Sequence, residues 1–239
     1  MKRRNNRRMS RSTALLFAAA IVLLAFSGIG GARAALGRYS QTYSARAQMQ
    51  NIGVTLQENG KDVAWRNYDT KSADGTWKEA TGVLMQNIAP QGEALATGKA
   101  YTEHLTVKNS GTIDQYVRVS IHKYWVDKNG NKVQSLSPDL IKLHVLENSG
   151  WIVDQAASTS ERTVLYYNQI LKSGAVTPNL SDTLTIDDAV SAQAAAYSDM
   201  QFAVEAEVDA VQTHNASDAI WSAWGRRVNI DKNGQLTLQ

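Results

Sequence analysis

The sequence predicts a mainly β chain, a jelly-roll-like antiparallel β-sandwich with short connecting helices, preceded by a cleaved signal peptide. Three observations carry this expectation. Most segments beyond residue 35 alternate apolar and polar residues with period two, the spacing of a half-buried strand. Turn signals punctuate them: Glu58-Asn59-Gly60-Lys61, Asn109-Ser110-Gly111, Asn129-Gly130 and Asp231 to Gly234. The first 34 residues have a composition unlike anything after them.

That first segment reads as a leader. Lys2, Arg3, Arg4, Arg7, Arg8 and Arg11 form a basic start without an acid, and Thr13 to Phe26 is apolar. Gly28, Gly30 and Gly31 break any helix, and Ala32-Arg33-Ala34 supplies the small-x-small site of a signal peptidase. Cleavage is expected between Ala34 and Ala35, with residues 35–239 as a single domain. The alternative is retention as an N-terminal anchor, but the apolar run is short for a span of about 20 residues. Contact with a membrane is expected only through the leader, before its removal.

Removing the leader inverts the charge. The whole chain is +3, and residues 1–34 hold seven of its 25 basic residues and none of its 22 acids, so the remainder is −4. A mildly acidic domain has no electrostatic case for binding nucleic acid. The absence of cysteine excludes disulfides, a thiol nucleophile, thiolate zinc sites and lipid attachment through cysteine.

The mature chain then reads in order. Residues 35–49 alternate, with Tyr39, Tyr43, Ala45, Ala47 and Met49 on one face. Ile52, Val54 and Leu56 continue on even positions, so Asn51 and Gly53 are expected to mark a bulge or bend. Residues 62–80 look irregular, with Asp74-Gly75 as a turn. Leu105 and Val107 read as one strand, and Val117, Val119, Ile121 and Trp125 as the next, an expected antiparallel hairpin. Ser137-Pro138-Asp139-Leu140 suits a short helical turn, because proline fits a first helical position. Residues 151–153, 162–167 and 180–186 read as strands, and Asp187 to Tyr197 as a short helix. Phe202, Val204, Ala206 and Val208 form a long strand whose other face, Glu205, Glu207 and Asp209, is expected to be solvated. Asn215 to Gly225 has a cap, an apolar face and a terminal glycine, the pattern of a helix. Val228 to Leu238 closes the chain as a hairpin.

No catalytic constellation emerges. His104, His122, His144 and His214 fall in no metal-binding spacing, and the Glu103-His104 neighbours on a strand point to opposite faces. No nucleophile elbow or phosphate loop is present. No cofactor or metal is expected.

The segment Leu105-Thr-Val-Lys-Asn-Ser-Gly, followed by Tyr116-Val-Arg-Val, resembles the core of the TasA/camelysin family of secreted Gram-positive proteins. Residues 161–167, Gly174-Ala-Val-Thr-Pro178 and the run from Val211 to Trp224 resemble further parts of it, and the Gly30-Gly31 leader resembles those processed by a SipW-type signal peptidase. The resemblance implies an exported jelly-roll that polymerises with itself into biofilm matrix fibres, each subunit donating its N-terminal strand to the next. On that reading Tyr39, Tyr43, Ala45, Ala47 and Met49 form the assembly strand. The alternative is that they make the first strand of their own sandwich. Camelysins also carry a peptidase label, so an extracellular metallopeptidase is a second function. A surface module that stacks Trp65, Tyr68, Trp77, Tyr124, Trp125, Trp151, Tyr166 or Tyr167 on polysaccharide or protein is a third. The expected location is extracellular, free or held at the cell surface by non-covalent contacts.

Overall fold

A computed structural model describes residues 50–71, 77–85 and 95–239. The leader, the strand at 35–49 with Ala34, Ala35, Tyr39, Tyr43, Ala45, Ala47 and Met49, and the Asp74-Gly75 turn lie outside the described residues.

The chain resumes with β1 (Gly53–Glu58), which turns through Asn59 and Gly60, both at positive φ, into β2 (Lys61–Lys71). Next come β3 (Trp77–Ala80), the two-residue β4 (Gly82–Val83), β5 (Ala100–Thr102), β6 (Leu105–Asn109) and the long β7 (Gln115–Val126). A 3₁₀ turn at Pro138–Leu140, capped by Ser137 Oγ on the Asp139 N–H, leads to β8 (Ile141–Val145), β9 (Trp151–Val153), β10 (Arg162–Tyr167) and β11 (Ser181–Ile186). Two single turns, α1 (Ala189–Ala192) and α2 (Ala194–Tyr197), precede β12 (Gln201–Gln212). Helix α3 (Ala216–Trp224) and the hairpin β13 (Val228–Ile230) and β14 (Leu236–Leu238) complete the order.

The strands form antiparallel sheets ordered β3-β2-β1-β6, β4-β12-β7-β10-β9 and β5-β11-β8, beside the β13-β14 hairpin. The inward residues of the sheets meet in one core: Val54 and Leu56 of β1, Leu105 and Val107 of β6, Val117, Val119 and Ile121 of β7, and Val204, Ala206 and Val208 of β12 are all buried. This is a mainly β, sandwich-like architecture. The short helical segments fall where residues 137–140, 187–197 and 215–225 were read as helical.

Five readings of the sequence need correction. First, β6 and β7 are not a hairpin, because β6 pairs with β1 whereas β7 pairs with β12 and β10. Asn109 Nδ2 donates to the carbonyls of Ile113 and Leu171, and Gly111 N–H returns to Asn109 Oδ1, so the chain arches from one sheet to the other. Turn residues report a change of direction, not which sheet receives the next strand. Second, residues 62–71 and 77–80 are regular: β2 is 11 residues long and pairs with both β1 and β3. Third, β1 carries a bulge at Leu56/Gln57 that the alternation did not signal, while the bulge or bend expected at Asn51 and Gly53 concerns the join to the strand read at 35–49, outside the described residues. Gly53 and Gly111 pass so closely that a Cβ on Gly111 would lie 2.6 Å from the Asn51 carbonyl. Fourth, Asn215 does not cap α3 with its side chain; it sits in the left-handed region, and its carbonyl accepts from Ala219 N–H. The fifth concerns Asp209 and belongs to the site.

A second, smaller core explains why β7 is covered on both faces. Tyr116, Val164, Tyr166 and Val211 pack under Ala216 and Ile220 of α3 and Val228 and Leu236 of the terminal hairpin. The Tyr116 hydroxyl donates to the Gly234 carbonyl at 2.9 Å.

Candidate assembly edge and its charged flank

β12 is 12 residues long, and from Gln201 to Gln212 it pairs with β7. Among the described residues its other edge pairs with β4, through Glu205↔Val83 and Ala206↔Gly82, extended by a Leu84 N–H bond to the Val204 carbonyl. Among the described residues no strand pairs with that edge beyond those positions. Even-numbered residues of β12 turn their backbone groups toward it and their side chains into the core. At Ala210 the N–H is met by the Tyr68 hydroxyl at 3.2 Å, a side chain standing where a strand partner would be.

A depression adjoins each end of this edge. At the start of β12 lies an apolar groove of about 710 Å³, lined by Leu84, Met85, Trp125, Ile186, Tyr197 and Phe202 among others. Trp125 forms its floor, packing edge-on against Tyr197 at 4.8 Å and Phe202 at 6.1 Å, with Nε1 donating to the Ser137 carbonyl at 2.8 Å. At the end of β12 a smaller groove of about 410 Å³ runs between β12 and α3, with Ile52, Tyr68, Val211, Ala219, Ala223 and Trp224 on its walls.

Asp209 lines this groove, which shares Arg118 and Trp224 with a polar basin. Rather than facing solvent, its carboxylate is buried, taking Arg66 Nη1 on one oxygen and Arg118 on the other, with Arg118 Nε at 3.1 Å. Arg66 also reaches Glu79, so four charged groups run in series from β3 through β2 and β12 to β7. Burial lowers the Arg118 guanidinium from its ordinary value, with Tyr166 and Tyr68 acting against that shift. Trp224 lies over the same guanidinium, 5.2 Å from its ring centre, and meets Tyr166 edge-on. Glu205 and Glu207 remain at least partly exposed, so the acidic face of β12 is solvated only in part.

The basin beyond, about 610 Å³, is lined by Arg118, Ser120, His122, Arg162, Glu207 and Arg226 among others. Its arginines are already engaged. Arg226 Nε stands 2.8 Å from the fully buried Asp154 carboxylate, an ionic contact whose angle is poor for a hydrogen bond. Arg162 donates to the Ala157 carbonyl at 3.0 and 2.7 Å.

The histidines do not converge. His104 is exposed, His122 lines the basin, His144 Nδ1 stands 2.7 Å from Asp182 and His214 is exposed. Among the described residues no group of three or more His, Asp or Glu is placed to hold a metal. Of the aromatic residues singled out for stacking, Trp125, Trp151, Tyr166 and Tyr167 are buried, Tyr68 and Tyr124 are half-buried, and Trp65 is exposed. The Trp77 side chain lies outside the description. Sequence reasoning passed over Trp221, which is 47% exposed and stacks under the Arg227 guanidinium at 4.3 Å. Its position four residues before a helix-ending glycine was the available signal. No described helix is long and apolar enough to cross a membrane. No family model, curated protein or solved structure matches the chain.

Proposed function

We propose that this protein is a secreted structural subunit of an extracellular matrix or biofilm fibre. Loss of the leader frees residues 35–49, and that strand is added to the β12 edge of a second copy. The observation that carries the reading is the mismatch at β12 among the described residues, a 12-residue strand with a two-residue partner on one side. Unpaired strand edges invite another chain, and a donated strand gains main-chain hydrogen bonds for affinity and side-chain pockets for specificity. The apolar groove at the start of β12 suits the alternating face of Tyr39, Tyr43, Ala45, Ala47 and Met49. The resemblance to the TasA/camelysin family points the same way.

The test uses the secreted protein beginning at Ala35. The parent is expected to elongate with concentration and time. The double variant Tyr43→Asp with Ala45→Asp places charges against an apolar groove, where each unpaired one costs several kcal/mol. A one-residue slip would turn the whole apolar set away, so register shift offers no escape. The variant is expected to stay β-rich and monomeric by circular dichroism and size-exclusion chromatography. Loss of cooperative melting would instead mean that the strand completes its own sandwich. N-terminal sequencing of the secreted protein is expected to start at Ala35; a start at Met1 would mean the leader is retained.

A further inference from the structure

We propose that Glu58 and Glu103 share one proton at neutral pH and form a switch that pins Met85 beside the apolar groove, releasing it when the proton is lost. Three strand ends meet at this point: the end of β1, the short link between β5 and β6, and the exit of β4. Glu103 is 1% exposed, and its Oε1 is buried without a hydrogen-bond partner. Its neighbour is Glu58: Glu58 pairs with Leu105, and Asn59 N–H donates to the His104 carbonyl while His104 N–H donates to Asn59 Oδ1, which sets the two glutamates beside each other across the β1–β6 pairing. Two carboxylates cannot sit in such contact with both charges intact, so one of them carries the proton.

The roles follow from the remaining contacts. Glu58 Oε1 accepts the Met85 N–H at 2.6 Å, so the Glu58 side chain is tied to the exit of β4. Met85 holds φ +68, a left-handed conformation that a long side chain adopts only under constraint. Glu103 is the proton's residence. Burial, then the Glu58 charge and hydrogen bond, push it up to about 8, opposed only by the hydrogen bond from Asn59. Its backbone is fixed, with N–H donating to the Asp182 carbonyl and the carbonyl accepting from Ser181 Oγ, so the side chain cannot leave by a small shift of the strand.

Among the described residues the other titratable groups nearby are turned elsewhere. His104, next in the chain, is exposed. Asp182 of β11 binds His144 and Thr183, and that contact holds its carboxyl below the usual range. Lys61, opposite Glu58 in the β1–β2 pairing, is exposed, and β4 contributes no charged residue.

The sign is fixed by the direction of the Glu103 shift. A carboxyl raised in the folded state stabilises fully below its unfolded value near 4.5, and that contribution is lost as pH rises to about 8. Above that, Glu58 and Glu103 repel, and the first bond to give way is the one to Met85, which lines the groove together with Leu84. The proton pair itself stands independently of strand donation; a pH-dependent groove matters for assembly only on that reading.

The test separates the two. Thermal midpoints of the parent and Glu103→Gln, both held at a concentration too low for elongation, are measured from pH 5 to 9. The parent midpoint is expected to fall steadily to about pH 8, and Glu103→Gln, which keeps a donor to Glu58 but cannot ionise, is expected to flatten that fall. His144 is present in both and cancels. An infrared band of a protonated carboxyl at pH 7, present in the parent and absent in Glu103→Gln, is expected as well. Parallel pH profiles of the two proteins, or no such band, would overturn the proposal. If the variant folds poorly at every pH, the infrared band of the parent alone decides it. Assembly lost above pH 8.5 in the elongating parent and retained in Glu103→Gln supports the link to the groove, and equal assembly in both removes that link while leaving the switch.

Discussion

Asp209→Ala is expected to destabilise the protein by about 3 kcal/mol, the lower end of the cost of breaking a buried ion pair. The side chain of Asp209 is 4% exposed and its two oxygens are divided between Arg66 and Arg118. Removing it strands two guanidiniums whose positive charges then face each other. The full penalty is not reached, because both arginines keep some access to water, Arg66 retains Glu79 and Arg118 retains Tyr166. Asp209→Asn keeps the volume and one acceptor, so it is expected to lose about half as much. Urea midpoints with an unchanged slope provide the measurement. A change within about 0.5 kcal/mol, the range of ordinary surface substitutions, would show that the four charges contribute nothing as a network.

Trp125→Ala is expected to cost about 4 kcal/mol, as large-to-small changes of buried aromatic residues do. Tyr197 and Phe202 close on the ring edge-on, so neither can slide into the space it leaves, and the Ser137 carbonyl loses its donor. Trp125→Phe keeps one six-membered aromatic ring but loses the pyrrole ring with its N–H, and is expected to cost about 1 kcal/mol more than simple volume loss. The same residue floors the apolar groove, so the alanine variant is also expected to bind a small apolar dye more strongly at concentrations of urea where it is still folded. A urea midpoint equal to that of the parent would place the ring outside the core.

What was legible in the sequence follows from which interactions are local. Alternation located β6 and most of β12, because each buries one face and the period of two is then visible in the chain itself, whereas β7 was found by its residue types although both of its faces are covered. β2 was hidden for a specific reason: Ala64 is fully buried while its large neighbour Trp65 is 40% exposed, the reverse of what side-chain size suggests. Shifts of register at Leu56/Gln57 and between Asn67 and Lys71 blur the pattern further. The charge of Asp209 was legible and its burial was not, since its partner Arg66 lies 143 residues away. The Glu58–Glu103 pair was invisible for the same reason. Each glutamate taken alone reads as surface, and only the meeting of three strand ends makes them neighbours.

The second core also sets the order in which the chain can be completed. The bond from Tyr116 to Gly234 spans 118 residues, and Leu236, fully buried, packs in the same cluster as Tyr116. Closing such a long loop costs entropy before any contact repays it, and architectures built on distant pairings fold slowly. Until Val228 to Leu238 arrives, Tyr116, Val164, Tyr166 and Val211 present an open apolar surface on the outside of a sheet that is otherwise formed. The terminal hairpin is therefore the keystone of the fold: the sandwich beneath it remains a sticky intermediate for as long as it is missing.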